Sequence, residues 1–499
     1  MSYLSGSLAT VPESSGVGSK PRLSPARVQD ALAGAAGIEG VRWLLGSRGV
    51  RSIIRAELGG LLPKPSQLGP CFLRRAKFKP GRKLSAYYDV GLPGVGGRPR
   101  AVALTWEPGS EGDPHSLTSN EAELEAQAIA GGVAAPFRRL TAGDPNLGLR
   151  ILVAPLDEAF PQLVRVSTPV HVAQLVAQVS ASPNRGRTNV GPRTVQVTTV
   201  RYRPRQRHVL RYDWGDTHGR AGDGDTLFAK LYNDGEDAPA WRIATGIADW
   251  VSSSTEASSI RPLARVPEDG LLLYPKLHGT PLSHLPTARA SQPLTQAGAV
   301  LRALQRAPVE LFDDVRPHSF SRESRAVARA SEHVVPLLPG TAARIGGILD
   351  RLGEIETRTE DERPVLAHGD YKCDHVWVAQ GNITLIDFNT CSLADPALDI
   401  GKFLADLHWW HSDSDLKILR DAQRSFLAGY GEVPPNRMLR ARLYEILILT
   451  KLTVRRVRLF DPHWAAKTDR LIRRAEGLLS DLESAVKNSR LGGVKEAGP

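Results

Sequence analysis

The chain has 499 residues, of which 41% are hydrophobic and 23% charged, with a formal net charge of +11. These values are ordinary for a soluble globular protein of two or three domains. Three cysteines lack metal-ligand spacing and cannot form a closed set of disulfides, which indicates a reducing compartment. The start of the chain lacks a signal-peptide pattern, and no apolar stretch approaches the roughly 20 residues of a membrane span. The sequence therefore predicts a cytoplasmic protein without a membrane partner.

The basic charge has two interpretations, because it suits nucleotide phosphates and nucleic acid alike. The arginines are scattered along the chain and form no dense run. This pattern favours a solvated basic surface over a nucleic-acid footprint.

Both ends of the chain are predicted to be disordered. Residues 1–22 are rich in Ser, Gly and Pro, and residues 488–499 are polar and contain glycine. Between residues 23 and 62, the spacing of apolar side chains predicts a helical segment of two short amphipathic helices.

The middle of the chain repeats itself. Residues 78–89 (FKPGRKLSAYYD) align without gaps on residues 202–213 (YRPRQRHVLRYD), at an offset of 124 (202 − 78). Two shorter blocks recur in the same order, and one of them aligns Leu104 with Lys230. Each copy predicts a hairpin, a third strand, a helix and a further hairpin. We interpret residues 63–185 as a copy of residues 186–280; the alternative is two unrelated β-rich stretches that share a Pro-bounded hairpin.

After the second copy the pattern changes to long helical periodicity. Residues 281–487 read as a series of helices, with strand-like pieces only at 376–379 and 383–386. A sheet-rich part followed by a helix-rich part predicts an α+β layout.

Two acids flank the short hairpin within the helix-rich part. Asp370 precedes it and Asp387 follows it, each directly beside a strand. Phosphoryl transfer needs one carboxylate near the attacking hydroxyl and another that holds magnesium against the phosphates, and this pair can serve both roles. From spacing alone, ordinary turn-favouring aspartates are an equally good interpretation.

The ordered string HGD at 368–370, IDF at 386–388 and DPALD at 395–399 resembles the catalytic signature of aminoglycoside phosphotransferases and their relatives, the choline and other small-molecule kinases. The resemblance implies a two-lobed protein-kinase-like fold with a duplicated, degenerate N-terminal small lobe. It also implies ATP and Mg²⁺ as cofactors, Asp370 as catalytic base and Asp387 as metal ligand. Asp399 and His368 would brace the catalytic loop.

The sequence departs from the family pattern at His375, where the family usually has Asn. A neutral imidazole can bind a divalent metal, although magnesium prefers oxygen ligands. Lys372 resembles the catalytic-loop lysine of protein Ser/Thr kinases and is expected to contact the transferred phosphate; a solvent-facing loop lysine is the alternative.

The same resemblance predicts a nucleotide site in residues 186–280. Lys230, flanked by apolar strand residues, is expected to hold the α- and β-phosphates, with Glu236 as its ion-pair partner. Tyr274 and Leu277 lie in the segment that resembles the adenine-contacting linker. In the first copy Leu104 stands where Lys230 is expected, so that copy is expected to bind no nucleotide.

The sequence thus predicts an enzyme that transfers the ATP γ-phosphoryl group to a hydroxyl of a small molecule of the aminoglycoside, sugar or amino-alcohol type. The alternative is a pseudokinase, a nucleotide-binding or scaffolding module without turnover. His375 favours this alternative, whereas Asp370, Asp387 and Lys230 count against it.

Overall fold

The structure, a computed structural model, describes residues 24–93, 99–109, 117–180, 194–215, 226–233 and 235–495. It begins with three helices, whose bounds are α1 Pro25–Ala33, α2 Gly37–Gly46 and α3 Arg48–Gly60. The Ser47 side chain caps α3 by accepting the Val50 backbone N–H at 3.4 Å. The predicted disorder of residues 1–22 lies outside the described residues.

A five-stranded antiparallel sheet follows, in the order β1-β2-β3-β5-β4. Its elements are β1 Cys71–Lys79, β2 Lys83–Val90, β3 Arg100–Trp106, α4 Ser119–Ala130, β4 Thr141–Asp144 and β5 Leu149–Val153. One face of this first sheet carries the alternating buried residues of β2 and β3 and packs on α1 to α3. That core also contains Leu337, Val457 and Trp464 from the helix-rich part, which attaches the first sheet to it.

The second sheet is also five-stranded and antiparallel. It is preceded by α5 Gln162–Arg165 and α6 Pro169–Ser180. Its strands are β6 Thr194–Arg203, β7 Arg207–Gly215, β8 Thr226–Leu231, β10 Ala264–Val266 and β11 Leu271–Pro275. Between β8 and β10 the chain forms helix α7 Asp237–Ser254 and the short strand β9 Ser258–Ser259, which belongs to another sheet. The strand order β6-β7-β8-β11-β10 repeats that of the first sheet. Helices α5 and α6 pack on the second sheet, so residues 162–180 lie with the second sheet although the sequence assigns them to the first copy.

The two sheets agree in detail. The first hairpin turns between Lys79 and Lys83 and the second between Arg203 and Arg207, at the same offset of 124. Two tyrosines on the inner strands, 124 residues apart, each donate a hydroxyl hydrogen bond to a backbone carbonyl of the preceding helical segment. These bonds are Tyr88 to Leu45 at 3.2 Å and Tyr212 to Val166 at 2.8 Å.

The strand register corrects one alignment. Lys230 lies opposite Val209, and the residue that corresponds to Val209 in the first sheet is Ser85 (85 + 124 = 209), whose partner is Thr105. Thr105 is therefore the counterpart of Lys230, and Leu104, which the sequence aligned there, lies on the buried face. The error arises because a one-residue shift in a strand exchanges its two faces.

The rest of the chain forms the helix-rich lobe. Its strands are β12 Thr280–Pro281, β13 Arg316–Pro317, β14 Val365–Ala367, β15 Val376–Ala379, β16 Asn382–Leu385 and β17 Ser392–Ala394. Its helices are α8 Ser291–Leu304, α9 Phe320–Ser331, α10 Val334–Leu337, α11 Pro339–Glu356, α12 Ala397–Trp410, α13 Leu416–Tyr430, α14 Pro435–Arg456 and α15 Trp464–Lys495. The predicted order of a sheet-rich part and a helix-rich part is confirmed. Helix α15 extends to Lys495, past residue 487, where the sequence ends this lobe.

The candidate site lies where the second sheet meets the helix-rich lobe. The hairpin of β15 and β16 pairs with β12 on one side and with β9 on the other, and the loops at its base carry the two acids. In the described part of the chain, no helix combines the length and the hydrophobicity that crossing a membrane requires.

Candidate active site

The loop after β14 is held in one shape by its glycine and by a buried acid. Gly369 has a φ of 71°, and a Cβ there would lie 2.1 Å from the Thr390 carbonyl oxygen, so only glycine fits. Asp399, at the start of α12, accepts the backbone N–H groups of His368 at 2.6 Å and Gly369 at 3.0 Å. Burial raises the pKa of Asp399, and these hydrogen bonds oppose that rise. The loop that carries Asp370 is therefore preorganised.

Asp370 is surrounded by cations. Lys372 Nζ lies 2.6 Å from its Oδ2, and Lys402 Nζ lies 3.1 Å from its Oδ1. Lys402 also donates to the Gly369 carbonyl at 2.6 Å. Burial raises the pKa of Asp370, but the charges of Lys402 and Lys372 outweigh it and hold the pKa well below its ordinary value. The carboxylate is therefore ionised at neutral pH.

Asp387 follows β16 in a strained conformation, with a φ of 66°. Its Oδ1 accepts a 2.9 Å bond from Lys230, and its Oδ2 lies 3.8 Å from the Arg207 guanidinium. Burial raises the pKa of Asp387, but Lys230 and Arg207 lower it further than burial raises it. The bond from Lys230 to this carboxylate thus links β8 of the second sheet to the β15–β16 hairpin of the helix-rich lobe.

His375 stands between the two acids. Its Nδ1 lies 2.9 Å from the Asp370 carbonyl oxygen, which can only accept, so Nδ1 carries the proton. The Nε2 lone pair then lies 3.6 Å from Asp387 Oδ2. Burial and the Lys372 charge lower the pKa of His375 to about 3, so the imidazole is neutral. An imidazole nitrogen and a carboxylate are ligand types that would hold a divalent cation.

The predicted nucleotide residues are only partly brought together. Lys230 reaches Asp387, but Glu236 is exposed just before α7 and makes no ion pair with Lys230 in the described part of the chain. Glu236 precedes the helix, so its side chain is not presented to the strand, and the acid on Lys230 comes from the other lobe. Tyr274 lies near the end of β11, where burial raises its pKa to about 12, and Leu277 lies half-buried in the following connection.

Two cations of this site were missed by sequence reasoning. Arg207 can be assigned to the site only from the strand register of the hairpin, which places it on the same face as Lys230. Lys402 offered a signal, because α12 is buried along almost its whole length and a lone lysine among such residues requires a partner. The partner is Asp370, which lies in the loop after β14.

A sheet-rich small lobe that contributes a lysine, and a helical lobe that contributes two acids from adjacent loops, define a kinase-like phosphotransferase layout. Residues 210–435 match the family described as "Phosphotransferase enzyme family", abbreviated APH. The resemblance that the signature predicts is confirmed for this part of the chain. No curated protein sequence matches the chain significantly.

Several solved structures are similar to part of the chain. A spectinomycin phosphotransferase in complex with ADP and spectinomycin is 14% identical over 57% of this chain and 93% of its own, with a TM-score of 0.41. A choline/ethanolamine kinase family protein from Mesorhizobium loti is 18% identical over 62% and 94%, with a TM-score of 0.37. An aminoglycoside phosphotransferase from Streptomyces rimosus, in complex with ADP and streptomycin, is 20% identical over 49% and 90%, with a TM-score of 0.35.

Proposed function

We propose that the protein transfers the γ-phosphoryl group of ATP to a hydroxyl of a small molecule. The observation that carries this proposal is the placement of Asp370 and Asp387 on two loops at the base of one hairpin, with Lys230 of the small lobe bonded to Asp387. The family match over residues 210–435 supports the same chemistry.

In this proposal Asp370 accepts the proton of the acceptor hydroxyl as its oxygen attacks the γ-phosphorus. The bond from that phosphorus to the bridging oxygen breaks, and ADP leaves. Lys230 holds the nucleotide phosphates, and Lys372 faces the transferred group beside Asp370. Tyr274 and Leu277 line the adenine side, whereas the structure gives Glu236 no role at Lys230.

Asp387 and His375 fit a divalent cation held together with the nucleotide. The described residues contain no group of three or more metal-binding side chains. Mg²⁺ usually takes only one or two carboxylates and completes its shell with phosphate oxygens and water. His375 Nε2 and Asp387 Oδ2, 3.6 Å apart, would supply one nitrogen and one oxygen for such an ion. When bound, Mg²⁺ neutralises charge on the phosphates.

The test compares two isosteric variants with a third from the same loop. Asp370→Asn is expected to lower phosphoryl transfer by about 10²- to 10⁴-fold, because a positioned base is lost, and to leave Mg-ATP affinity within about twofold. Asp387→Asn is expected to weaken Mg-ATP binding itself. ADP release over a panel of hydroxyl compounds and calorimetric titration with Mg-ATP measure the two effects.

The control is Asp374→Asn, since Asp374 lies in the same loop but bonds to Ser283 at 2.6 Å and not to the site. If Asp370→Asn retains most of the wild-type turnover, Asp370 is not the base. A wild-type protein that binds Mg-ATP but releases no ADP with any acceptor is instead a pseudokinase.

We also propose that the first sheet is a small-lobe copy without a nucleotide site. Its strand order, hairpin offset and tyrosine hydrogen bonds match those of the second sheet. At the position of Lys230 it has Thr105, which has no cation to offer to phosphates.

A further inference from the structure

Five cations from three parts of the fold lie within electrostatic reach of one another beside the candidate active site. Arg75 and Lys77 come from β1 of the first sheet, Arg203 and Arg207 from the two sides of the β6–β7 turn, and Arg455 from the end of α14. We refer to these five side chains together as the cationic groove.

The second sheet supplies the wall nearest the two acids. Arg203 is the cross-strand partner of Arg207, so both side chains point to one face of the sheet. Val209 and its partner Lys230 lie on that face two residues further along β7. Since Lys230 and Arg207 both reach Asp387, this is the face of the catalytic cleft.

The first sheet supplies the second wall. Arg75 and Lys77 are two residues apart and therefore lie on the same face of β1, and Tyr87 is the cross-strand partner of Arg75. The Tyr87 side chain hydrogen-bonds to Gln206 in the β6–β7 turn, which fixes this face beside Arg203. Protein atoms around Arg75 reduce its hydration and lower its guanidinium pKa, and the nearby charges of Arg201 and Arg455 lower it further. Part of the side chain nevertheless remains open to solvent.

The helix-rich lobe supplies the third wall. Arg455 is exposed at the end of α14, and its neighbour Arg456 lies 2.8 Å from Asp406. The other oxygen of Asp406 accepts the backbone N–H of Cys373, in the loop that carries Asp370, at 2.8 Å. The end of α14 is therefore tied to the catalytic loop, on the side that faces the first sheet.

Four of these five cations lack an acid such as those that neutralise their neighbours; the fifth, Arg207, lies 3.8 Å from Asp387. In the described ranges, Arg75, Lys77, Arg203 and Arg455 form no ion pair. Arg74, next to Arg75, pairs with Asp89 at 2.6 Å, and Arg456 pairs with Asp406. Burial and the charges of Arg75 and Arg201 lower the pKa of Arg203 to about 10. Cations that repel one another in a partly dehydrated space favour binding of an anion, because it removes the repulsion and accepts charge-assisted hydrogen bonds.

We propose that the cationic groove binds an anionic group, a phosphate or a carboxylate, of the phosphoryl acceptor. This inference rests on the proposed function and narrows it: the substrate is an acidic hydroxyl compound and not a polycationic one such as an aminoglycoside. The first sheet then contributes residues to the acceptor site, although it lacks the lysine that would hold a nucleotide.

The test measures binding, so that it does not depend on turnover. Four small hydroxyl compounds are titrated calorimetrically into the protein saturated with Mg-ADP: glycerol 3-phosphate, glycerate, glycerol and ethanolamine. We expect at least one of the two anions to bind about tenfold more tightly than glycerol and ethanolamine, and its affinity to fall with added salt. Which of the two anions binds more tightly shows whether the cationic groove prefers a phosphate or a carboxylate. Equal binding of all four compounds, or no binding of either anion, would overturn the proposal.

Substitutions test whether the anion binds in the cationic groove. Arg75→Gln and Arg455→Gln are each expected to weaken the bound anion about tenfold, the effect of one lost charge-assisted hydrogen bond. Arg74→Gln, on the same strand, is expected to change it less than about twofold. Losses below about threefold in both groove variants would overturn the assignment. Mg-ADP affinity, measured in the same titrations, tests the nucleotide site separately: its absence contradicts the proposed function, whereas Mg-ADP binding without a groove anion contradicts only this inference.

Discussion

At the scale of single residues, each acid of the candidate site is defined by the cations around it. Asp387 receives Lys230 from the other lobe, whereas Asp370 is held by two lysines of its own lobe. Lys402 differs from Lys372 because it also bonds to the Gly369 carbonyl and is almost completely buried. It fixes both the backbone and the carboxylate of the catalytic loop, so we regard it as a positioning residue.

Lys402→Met is expected to lower kcat about 10- to 100-fold with little change in the KM for ATP, because the loop loses a buried hydrogen-bonded charge but the nucleotide keeps its contacts. Lys402→Arg is expected to recover part of the loss, since it restores the charge. Steady-state kinetics of both variants make the comparison, with Lys417→Met, at an exposed position at the start of α13, as control. A proportional change in KM and kcat would contradict a positioning role.

His375 shows how burial changes an expectation based on residue type. An unperturbed imidazole would titrate near pH 6.5 and would give the enzyme an acidic limb there. In the structure its pKa falls to about 3, because burial and Lys372 oppose the charged form. Protonation of His375 is therefore not expected to limit activity above about pH 4.

At the scale of elements, the β6–β7 turn of the second sheet is held by a residue that follows the last strand of the first sheet. Asp157, which follows β5, accepts the backbone N–H of Arg205 at 2.8 Å and lies 2.6 Å from His208 Nε2. Arg205 has a φ of 61°, so the turn is held in a conformation that non-glycine residues rarely adopt. The turn that covers the proposed phosphate site is thus fixed from outside its own sheet.

Asp157→Ala is expected to loosen this turn and to raise the KM for ATP about fivefold, the equivalent of roughly 1 kcal/mol of lost ordering. Asp144→Ala is the matched control, because Asp144 caps a turn of the first sheet through Asn146 at 2.9 Å. Nucleotide titration of both variants gives the comparison. If the two variants bind nucleotide with the same affinity as the wild type, the turn does not need its anchor.

The sequence was most informative where the residues of a site lie close together along the chain. The strings that carry Asp370, Asp387 and Asp399 led to the hairpin and its loops, and the β6–β7 hairpin could be read from its alternation. Contacts between lobes could not be read in this way, because they depend on strand register and helix packing. This is why Glu236 was expected at Lys230 in place of Asp387, and why Leu104 was aligned where the register puts Thr105.

At the scale of the whole molecule, the first sheet and the helix-rich lobe share a core that includes Trp464. His333 lies beside this core, with its ring centroid 6.2 Å from that of Trp464. Burial lowers its pKa from 6.5 to about 4. The unfolded chain therefore binds a proton between these values that the folded chain excludes, so stability rises with pH across this window and is lost as pH falls from about 6.5 to 4.

Glutamine does not titrate, so His333→Gln is expected to lose up to about 3 kcal/mol less stability than the wild type as the pH falls through this window. This figure is the free energy that corresponds to the difference of about 2.5 between the two pKa values of His333. Unfolding temperatures of the wild type and the variant at pH 7.5 and pH 4.5 measure it, with His278→Gln, at an exposed position, as control. A gap between wild type and variant that does not change with pH would show that His333 does not titrate across this window.

The two sheets predict a nucleotide stoichiometry for the whole chain. In the second sheet, Lys230 occurs in a cross-strand row with Val209 and reaches an acid of the helical lobe. The matching row of the first sheet holds Thr105 and Arg150, and Arg150 is already bonded to Glu121 at 2.6 Å. Calorimetric titration with Mg-ADP is therefore expected to give one site per chain.

Thr105→Lys tests the same point in the opposite direction. The new lysine would lie on the matching face but would meet Arg150 and no second carboxylate loop, so it is expected to destabilise the first sheet and to create no second site. The site in the wild type is expected to disappear when Lys230→Ala and Asp387→Asn are combined, since both groups that hold the phosphates are then lost. Two sites of comparable affinity, or one site that survives the double variant, would place the nucleotide on the first sheet.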